Sequence, residues 1–263
     1  MKKFDPWRLS YPDFVGLIRS DNKPPGGEAT LDNWIERGQI TASSVILDLA
    51  CSTGYSSRYI AAKTGCSATG IDLSTAAIEV ANARRKPGCS YHHGNAEDLS
   101  RFDAGTFTHI VAGSTFGFID DQSRALRECA RVLAPSGQLL TSNFYHRAKP
   151  PESITGPVAE IIALRREAHR NEKIWREFYQ QEFVEEWAET LQFRMQSMEE
   201  IEKGCRADIF ENTELGEIDT ETKREMFEVH HRNRRAFEAL RAWQYYDNRG
   251  WRPAGSLART DLR

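Results

Sequence analysis

Residues 45–58 read VILDLACSTGYSSR, and this stretch decides the fold. The apolar run Val45–Leu49, interrupted only by Asp48, predicts a buried parallel strand. Small residues follow from Ala50 to Gly54, and a helix opens directly after them. A ligand can approach the backbone closely across such a turn, because no large side chain blocks it. The exposed N–H groups at the helix start then favour a nucleotide site at this edge of the sheet.

The small residues of the turn distinguish between two kinds of nucleotide site. They read A-x-S-x-G from Ala50 through Ser52 to Gly54, with Asp48 two residues before the first. A dinucleotide site requires G-x-G-x-x-G after the strand, and this chain does not have it there. The segment instead resembles acid-x-G-x-G-x-G, which is motif I of the class I S-adenosylmethionine (SAM)-dependent methyltransferases. Ala50 and Ser52 replace its first two glycines. An ordinary strand–turn–helix of an α/β protein remains the alternative.

Further strand–helix units follow in the order of that family. A strand over residues 67–74 contains Asp72, whose carboxylate can accept hydrogen bonds from both ribose hydroxyls of an adenosine. The alternative role for Asp72 is to cap the next helix. After the third strand, residues 94–99 resemble motif III, in which an acid meets the adenine amino group. Asn95 replaces that acid, and its amide oxygen can still accept a hydrogen bond.

The resemblance covers residues 45–145 and implies SAM as the cofactor, bound at the carboxyl edge of the sheet. Two predicted N-terminal helices, over residues 11–20 and 30–37, can cover the mouth of that site. The alternative is that the aromatic side chains there pack on the outer helices of the sheet and that Arg19 is a surface charge. The predicted cofactor-binding residues come from the cover, the turn and the following strand ends: Tyr11, Arg19, Asp48, Ala50, Ser52, Gly54, Asp72, Leu73, Asn95, Ala96, Glu97, Gly113 and Ser114.

The predicted fold is an α/β, Rossmann-like doubly wound sheet, mostly parallel with an antiparallel last strand beside the fifth. Residues 1–44 form an N-terminal helical cover, and residues 45–145 form the SAM-binding core. Residues 146–192 form a helical lid or acceptor-binding insertion after strand five, rich in aromatic residues that suit core packing. Residues 193–263 complete the sheet with a sixth strand at 193–198, a long helix, a last strand near 242–246 and a C-terminal tail.

Composition excludes several classes of protein. The net charge of −3 argues against a dedicated nucleic-acid binder, and no apolar run is long enough to cross a bilayer. The five cysteines are odd in number, scattered and without zinc-like spacing, so reduced thiols in the cytoplasm and no metal site are expected. The predicted partner is a small molecule, and the oligomeric state stays open.

The expected reaction is in-line transfer of a methyl group to a nitrogen, oxygen or sulfur atom of a small, partly apolar acceptor. A hydroxyl or a protonated amine needs a base, for which His146 is the candidate, with Tyr145 orienting the acceptor. A surface role for His146 is an equal alternative. Two other functions compete: a SAM-binding protein without turnover and, with less support, a nicotinamide-dependent oxidoreductase.

Overall fold

The computed structural model describes residues 5–162 and 171–255. Its strands are β1 (Val45–Leu49), β2 (Ser67–Asp72), β3 (Cys89–His93), β4 (Phe107–Gly113), β5 (Leu133–His146), β6 (Phe183–Gln192) and β7 (Gln244–Pro253). They form one sheet in the order β3-β2-β1-β4-β5-β7-β6. Strands β1 to β5 are parallel to one another, and β7 runs antiparallel to both β5 and β6. The predicted doubly wound sheet, with an antiparallel last strand beside the fifth, is confirmed.

Helices cover both faces of this sheet. Their bounds are α1 (Tyr11–Leu17), α2 (Glu28–Arg37), α3 (Tyr55–Thr64), α4 (Thr75–Ala83), α5 (Gln122–Val132), α6 (Glu152–Ile162), α7 (Glu172–Tyr179), α8 (Met198–Arg206) and α9 (Thr220–Arg241). Helices α2, α3 and α4 pack on one face, where Ile46 of β1 is buried. Helices α5 and α7 pack on the other face, where Leu47 and Leu49 are buried. The alternation along β1 places successive side chains in opposite layers, as a strand buried on both faces requires.

A third apolar cluster joins the N-terminal helix to the connection between β6 and β7. Phe14 of α1 and Ile18, which follows that helix, pack with Met226 and Val229 of α9. Helix α9 also contacts α6 and α8. We call α1, α6, α8 and α9 together the cap. The sequence assigned the cover to residues 1–44 and 146–192, whereas much of the cap comes from the later segment between β6 and β7.

The prediction of helix up to residue 192 is wrong for its last ten residues, which form β6. In the sequence, Phe183, Trp187 and Leu191 recur every four residues, a spacing that suits one side of a helix and also the alternation of a strand. In the structure the register of β6 shifts at a bulge before Trp187, so Phe183 packs on one face of the sheet and Trp187 packs on the other. A sixth strand at 193–198 is likewise wrong, because α8 begins at Met198. Residues 163–170 of the predicted insertion and 256–263 of the tail lie outside the described residues.

Helix α7 packs on the sheet, and its Phe178 also packs edge-on against Phe116 of the loop after β4. Trp175, Phe178 and Tyr179 are buried in the same cluster as the sheet residue Trp251. Tyr179 packs on Trp251 with ring centroids 4.9 Å apart and the two rings tilted. This confirms that the aromatic stripe of the insertion serves core packing.

Candidate active site

The turn after β1 forms with the backbone conformation that glycine favours. Ala50 and Ser52 have φ angles of 57° and 50°, and Gly54 has a φ of 75°. The left-handed region costs an L-residue about 1–2 kcal/mol, so Ala50 and Ser52 keep the turn at an energetic cost. Thr53 Oγ1 donates to the carbonyl of Ser20, 3.0 Å away, which holds the N-terminal segment against this turn.

Asp48 connects β1 to the helix that follows the turn. Its Oδ2 atom accepts hydrogen bonds from Ser57 N at 3.1 Å and Ser57 Oγ at 2.6 Å. Burial raises the pKa of Asp48 to about 6, although these hydrogen bonds oppose the rise. The contacts that the structure gives Asp48 therefore position α3, and any contact with a cofactor would be additional to them.

Asp72 lies where β2, the turn and α4 meet. Its two carboxylate oxygens accept from Ser52 N and Ser74 N, each at 2.8 Å. Burial raises its pKa, and these two N–H groups oppose the rise. A carboxylate offers about four acceptor positions, so Asp72 retains capacity for further donors. Ser74 Oγ donates to Asp13 of α1 at 2.7 Å, which brings the cap to the same edge.

The surroundings of Asp72 fit an adenosine. Leu73 is 64% exposed beside the buried Asp72, so it presents an apolar surface at the edge of the sheet. Ser52 Oγ is buried and makes no hydrogen bond within residues 5–162 and 171–255. The apolar surface of Leu73 suits an adenine base, and the carboxylate of Asp72 suits the ribose hydroxyls. The unsatisfied hydroxyl of Ser52 could bind a further polar atom of the ligand.

The loops after β3 and β4 meet at the same edge. Asn95 is exposed, and its Oδ1 accepts from Glu97 N at 2.9 Å, while Ala96 between them is buried. Glu97 Oε1 accepts from Asp121 N at 3.0 Å and so joins the two loops. Gly94 N donates to the carbonyl of Asp72 at 3.0 Å. These bonds bring the predicted motif III residues next to Asp72.

The end of β4 lies under the N-terminal segment. A Cβ atom on Gly113 would lie 2.6 Å from Pro24, so only glycine fits at this contact. Ser114 has a φ of 57°, and its N–H donates to Ser142 of β5 at 2.6 Å. Arg19 has a φ of 52° and directly precedes Ser20, whose carbonyl accepts the hydrogen bond from Thr53 of the turn. The structure therefore gathers Arg19, Gly113 and Ser114 near the turn.

The two predicted catalytic residues lie on opposite faces of β5, because adjacent strand residues alternate. Tyr145 is buried, and its hydroxyl bonds to Thr190 of β6 at 3.2 Å. His146 is half-buried, and its Nε2 lies 3.3 Å from Gln244 Nε2 on β7. The two side chains therefore face different layers of the sheet, and their joint action on one acceptor stays a prediction. Burial also raises the pKa of Tyr145.

Residues of α9 lie over α1, a contact that was not predicted from the sequence. Tyr11 packs edge-on against Phe237 with ring centroids 5.2 Å apart. A stripe at helical spacing, Arg234, Phe237 and Arg241, was visible in the sequence. Nothing local, however, indicated that this helix contacts the N-terminus.

Comparison with known proteins agrees with this geometry. The family model described as "Methyltransferase domain" matches residues 47–141. The crystal structure of MccD protein is 34% identical with a TM-score of 0.73, and the match covers 88% of this chain and all of that one. The chain belongs to the class I SAM-dependent methyltransferases. That family uses SAM, so the nicotinamide-dependent alternative loses its support.

More distant relatives share the core. A ubiquinone biosynthesis O-methyltransferase of Aromatoleum aromaticum is 31% identical over 120 residues, which are 44% of this chain and 51% of that protein. The chain spans about half the length of the curated relatives it matches. A phosphoethanolamine N-methyltransferase of Haemonchus contortus, solved with S-adenosylhomocysteine, shares the fold at 16% identity and a TM-score of 0.68, over 93% of this chain and 60% of that one.

Two further observations concern the environment of the chain. Throughout residues 5–162 and 171–255, no helix combines the length and apolar composition needed to cross a membrane. The five cysteines are all buried, and none forms a disulfide.

Proposed function

We propose that this protein transfers the methyl group of SAM to a nitrogen, oxygen or sulfur nucleophile of a small molecule in the cytoplasm. The observation that carries the proposal is the position of Asp72. Its carboxylate joins the turn after β1 to the start of α4, beside the exposed Leu73 and the unsatisfied hydroxyl of Ser52.

We assign the cofactor contacts by element. Asp72 would bind the ribose hydroxyls, Leu73 would cover the adenine ring, and residues 95–97 would meet the adenine edge. The backbone of residues 50–54 would line the rest of the cofactor, with Gly113, Ser114 and Arg19 around it. Each of these residues lies on a segment that ends at, or is bonded to, the carboxyl edge of the sheet.

The bound sulfonium supplies an activated methyl group, so the protein has to align the acceptor and exclude water. His146 is the candidate base for an acceptor that must lose a proton. It shares a face of β5 with Phe144, which pairs with Tyr246 of β7. Tyr246 lies beside Gly26 of the N-terminal segment, so this face points toward the segment that closes over β4. Tyr145 lies on the other face of β5, where its hydroxyl bonds to Thr190 of β6.

The test is a search for methyl acceptors with methyl-labelled SAM and a panel of small amines, alcohols and thiols. We expect label in the acceptor and S-adenosylhomocysteine as the second product. His146→Gln should lower kcat roughly 100-fold or more for an acceptor that needs a base. Its affinity for S-adenosylhomocysteine should stay within about twofold, because a base for the acceptor binds no part of the cofactor.

His92→Gln is the matched control, because it makes the same change on β3, away from β5. Equal activity losses in the two variants would remove His146 from the reaction. Release of methylthioadenosine in place of S-adenosylhomocysteine would contradict methyl transfer itself, because another carbon of the sulfonium would then have been transferred.

A SAM-binding protein without turnover is the second candidate. The observation in its favour is that Ala50 and Ser52 occupy left-handed positions at the predicted cofactor turn. The fold also occurs in the [4+2]-cyclase SpnF, at 18% identity and a TM-score of 0.63. Calorimetric binding of SAM, without transfer to any acceptor in the panel, would favour this candidate.

A further inference from the structure

One face of α9 carries two arginines around an aromatic residue. Arg234, Phe237 and Arg241 are spaced i, i+3 and i+7, so they lie along one side of the helix, with a rise of roughly 4.5 Å and then 6 Å between successive members. Tyr11 of α1 packs on the central Phe237. Burial raises the pKa of Tyr11, and the positive charges of Arg234 and Arg241 oppose that rise. The phenol therefore lies within electrostatic reach of both guanidinium groups. We call Tyr11, Arg234 and Arg241 the arginine–tyrosine cluster.

The arginine–tyrosine cluster has more hydrogen-bond donors than acceptors. Within the described part of the chain, the Tyr11 hydroxyl makes no hydrogen bond. Arg241 donates to the buried Glu238 at 2.8 Å. Arg234 donates to a neutral group, the Gln196 side chain, at 3.0 Å. A guanidinium has five N–H groups, so both arginines retain donors for a further ligand.

The acid nearest to Arg234 is already engaged by another residue. Asp208 approaches Arg234 only to 3.9 Å, and it contacts His230 Nε2 at 2.8 Å. Arg234 is thus a partly exposed cation whose close partner is an amide. An anion placed beside Arg234 and Arg241 would form charge-assisted hydrogen bonds, which are roughly twice as strong as neutral ones.

Contacts on both sides connect the arginine–tyrosine cluster to the predicted acceptor side of the sheet. Arg241 lies over the ring of Phe193, 5.4 Å from its centroid. Phe193 packs on Tyr246 of β7 with ring centroids 4.9 Å apart. Tyr246 pairs with Phe144, on the same face of β5 as His146. In the other direction, Tyr11 begins the helix whose Asp13 bonds to Ser74 beside Asp72.

We propose that Tyr11, Arg234 and Arg241 bind an oxyanionic group, a carboxylate or a phosphate ester, on the methyl acceptor. The inference rests on the proposed function and adds a substrate class to it. The two guanidinium groups and the phenol would anchor the anionic end of the acceptor under the cap. The nucleophile at its other end would lie toward β5 and His146. Tyr11 then belongs to the acceptor site and not, as its sequence position indicated, to the cofactor site.

A binding experiment tests the arginine–tyrosine cluster without requiring turnover. The full chain is saturated with S-adenosylhomocysteine and titrated with inorganic phosphate and, separately, with malonate. We expect saturable binding of at least one of them. Arg234→Gln should weaken it roughly tenfold or more, since hydrogen bonds to charged groups contribute about 1.5–3 kcal/mol. Tyr11→Phe should weaken it less, because it removes one neutral donor.

Arg235→Gln is the matched control, since it removes the same charge from the adjacent exposed residue, off the stripe. Equal affinities in Arg234→Gln and Arg235→Gln, or no anion binding by the wild type, would overturn the proposal. A loss of S-adenosylhomocysteine affinity in Arg234→Gln, with anion binding unchanged, would also overturn it. The cluster would then bind the carboxylate of the cofactor.

A second experiment uses turnover and separates this proposal from the proposed function. Acceptor candidates are compared in matched pairs that differ only in an anionic group, for example an amino acid and its amide, or an alcohol and its phosphate ester. We expect the anionic member to react with the higher kcat/KM, and Arg234→Gln to raise KM more than it lowers kcat. Preference for the neutral members would overturn the anion site while methyl transfer stands. Absence of any transfer would count against the proposed function alone, since the titration still tests the site.

Discussion

The two halves of the sheet are built on different principles. From β1 to β5 the strands run parallel, and helices that pack on the two faces of the sheet follow β1, β2 and β4. Beyond β5, the strands β6 and β7 are antiparallel and carry charged side chains, with α8 and α9 inserted between them. The first half forms the predicted cofactor edge from local turns. The second half depends on contacts between residues that are far apart in the chain.

A buried ion cluster shows this dependence most clearly. Arg249 of β7 is 1% exposed and contacts Asp247, Glu172 of α7 and Glu185 of β6. Arg249→Met should lower the free energy of unfolding by about 3–5 kcal/mol, because it leaves the buried carboxylate of Asp247 without its cation. Chemical denaturation would measure the loss. Affinity for S-adenosylhomocysteine, measured where the variant is folded, should stay within about twofold if the two halves are separate in function.

Arg252→Met is the control for Arg249→Met. Arg252 lies on the same strand and contacts Glu186, but its side chain is 43% exposed. An exposed ion pair contributes about 0–1 kcal/mol, so the control should lose at most that amount. Similar losses in the two variants would contradict a special role for the buried cluster.

The parallel half was predictable because its signals are local. Residues 45–58 contain the first strand, the turn and the start of the helix. Asp72 is the last residue of the parallel strand β2, and Asn95 lies two residues after the parallel strand β3. Parallel strands that are followed by helices bring their carboxyl ends to one edge. The relative positions of these residues therefore follow from the order of the elements, and the structure brings them together as expected.

The antiparallel half could not be predicted in the same way. In β6, Phe183, Trp187 and Leu191 fit a helix as well as a strand, so the local pattern does not decide between them. What decides is pairing with β7, which lies more than fifty residues later in the chain. The contact of Tyr11 with Phe237 joins nearly opposite ends of the sequence. No single stretch contains that information.

A pH titration sharpens the comparison within the parallel half. Burial raises the pKa of Asp48 from 3.8 to about 6 in the folded protein. The folded state therefore binds more protons than the unfolded state between these values, and stability should fall as the pH rises from about 4 to about 6. Asp48→Asn removes this contribution. The difference in unfolding free energy between wild type and variant should change by up to about 3 kcal/mol across that range.

If the stability of the wild type and of Asp48→Asn changes equally between these pH values, the raised pKa of Asp48 is contradicted. The comparison of the two curves is needed because burial also raises the pKa values of Asp72 and Asp247. These two groups contribute a dependence of the same sign to both proteins, and the subtraction removes it.

Asp72→Ala tests the cofactor edge directly. The change removes the acceptor proposed for the ribose, and it also removes the bonds to Ser52 N and Ser74 N. Affinity for S-adenosylhomocysteine should fall by about 1–3 kcal/mol, as measured by calorimetry. Asp98→Ala, an exposed aspartate on the loop after β3, is the control and should bind normally. Unchanged affinity in Asp72→Ala would remove Asp72 from the site.

The smallest expected effect concerns the turn itself. Ala50→Gly and Ser52→Gly place glycine at φ angles of 57° and 50°, which relieves strain of about 1–2 kcal/mol per residue. The greater freedom of glycine in the unfolded chain cancels part of that gain. Each variant should therefore gain about 0.5–1 kcal/mol in thermal unfolding. Ala62→Gly, on the exposed face of α3, should lose a similar amount, because its backbone is helical.

The sign of the change is the informative result, because the same substitution is made in a strained turn and in a helix. Loss of stability in all three glycine variants would contradict strain at Ala50 and Ser52. If the turn variants are more stable and also bind S-adenosylhomocysteine more tightly, the side chains at these two positions hinder the cofactor as well as straining the backbone. If they are more stable with unchanged affinity, the strain is confined to folding, and the turn binds its ligand as well with alanine and serine as with glycine.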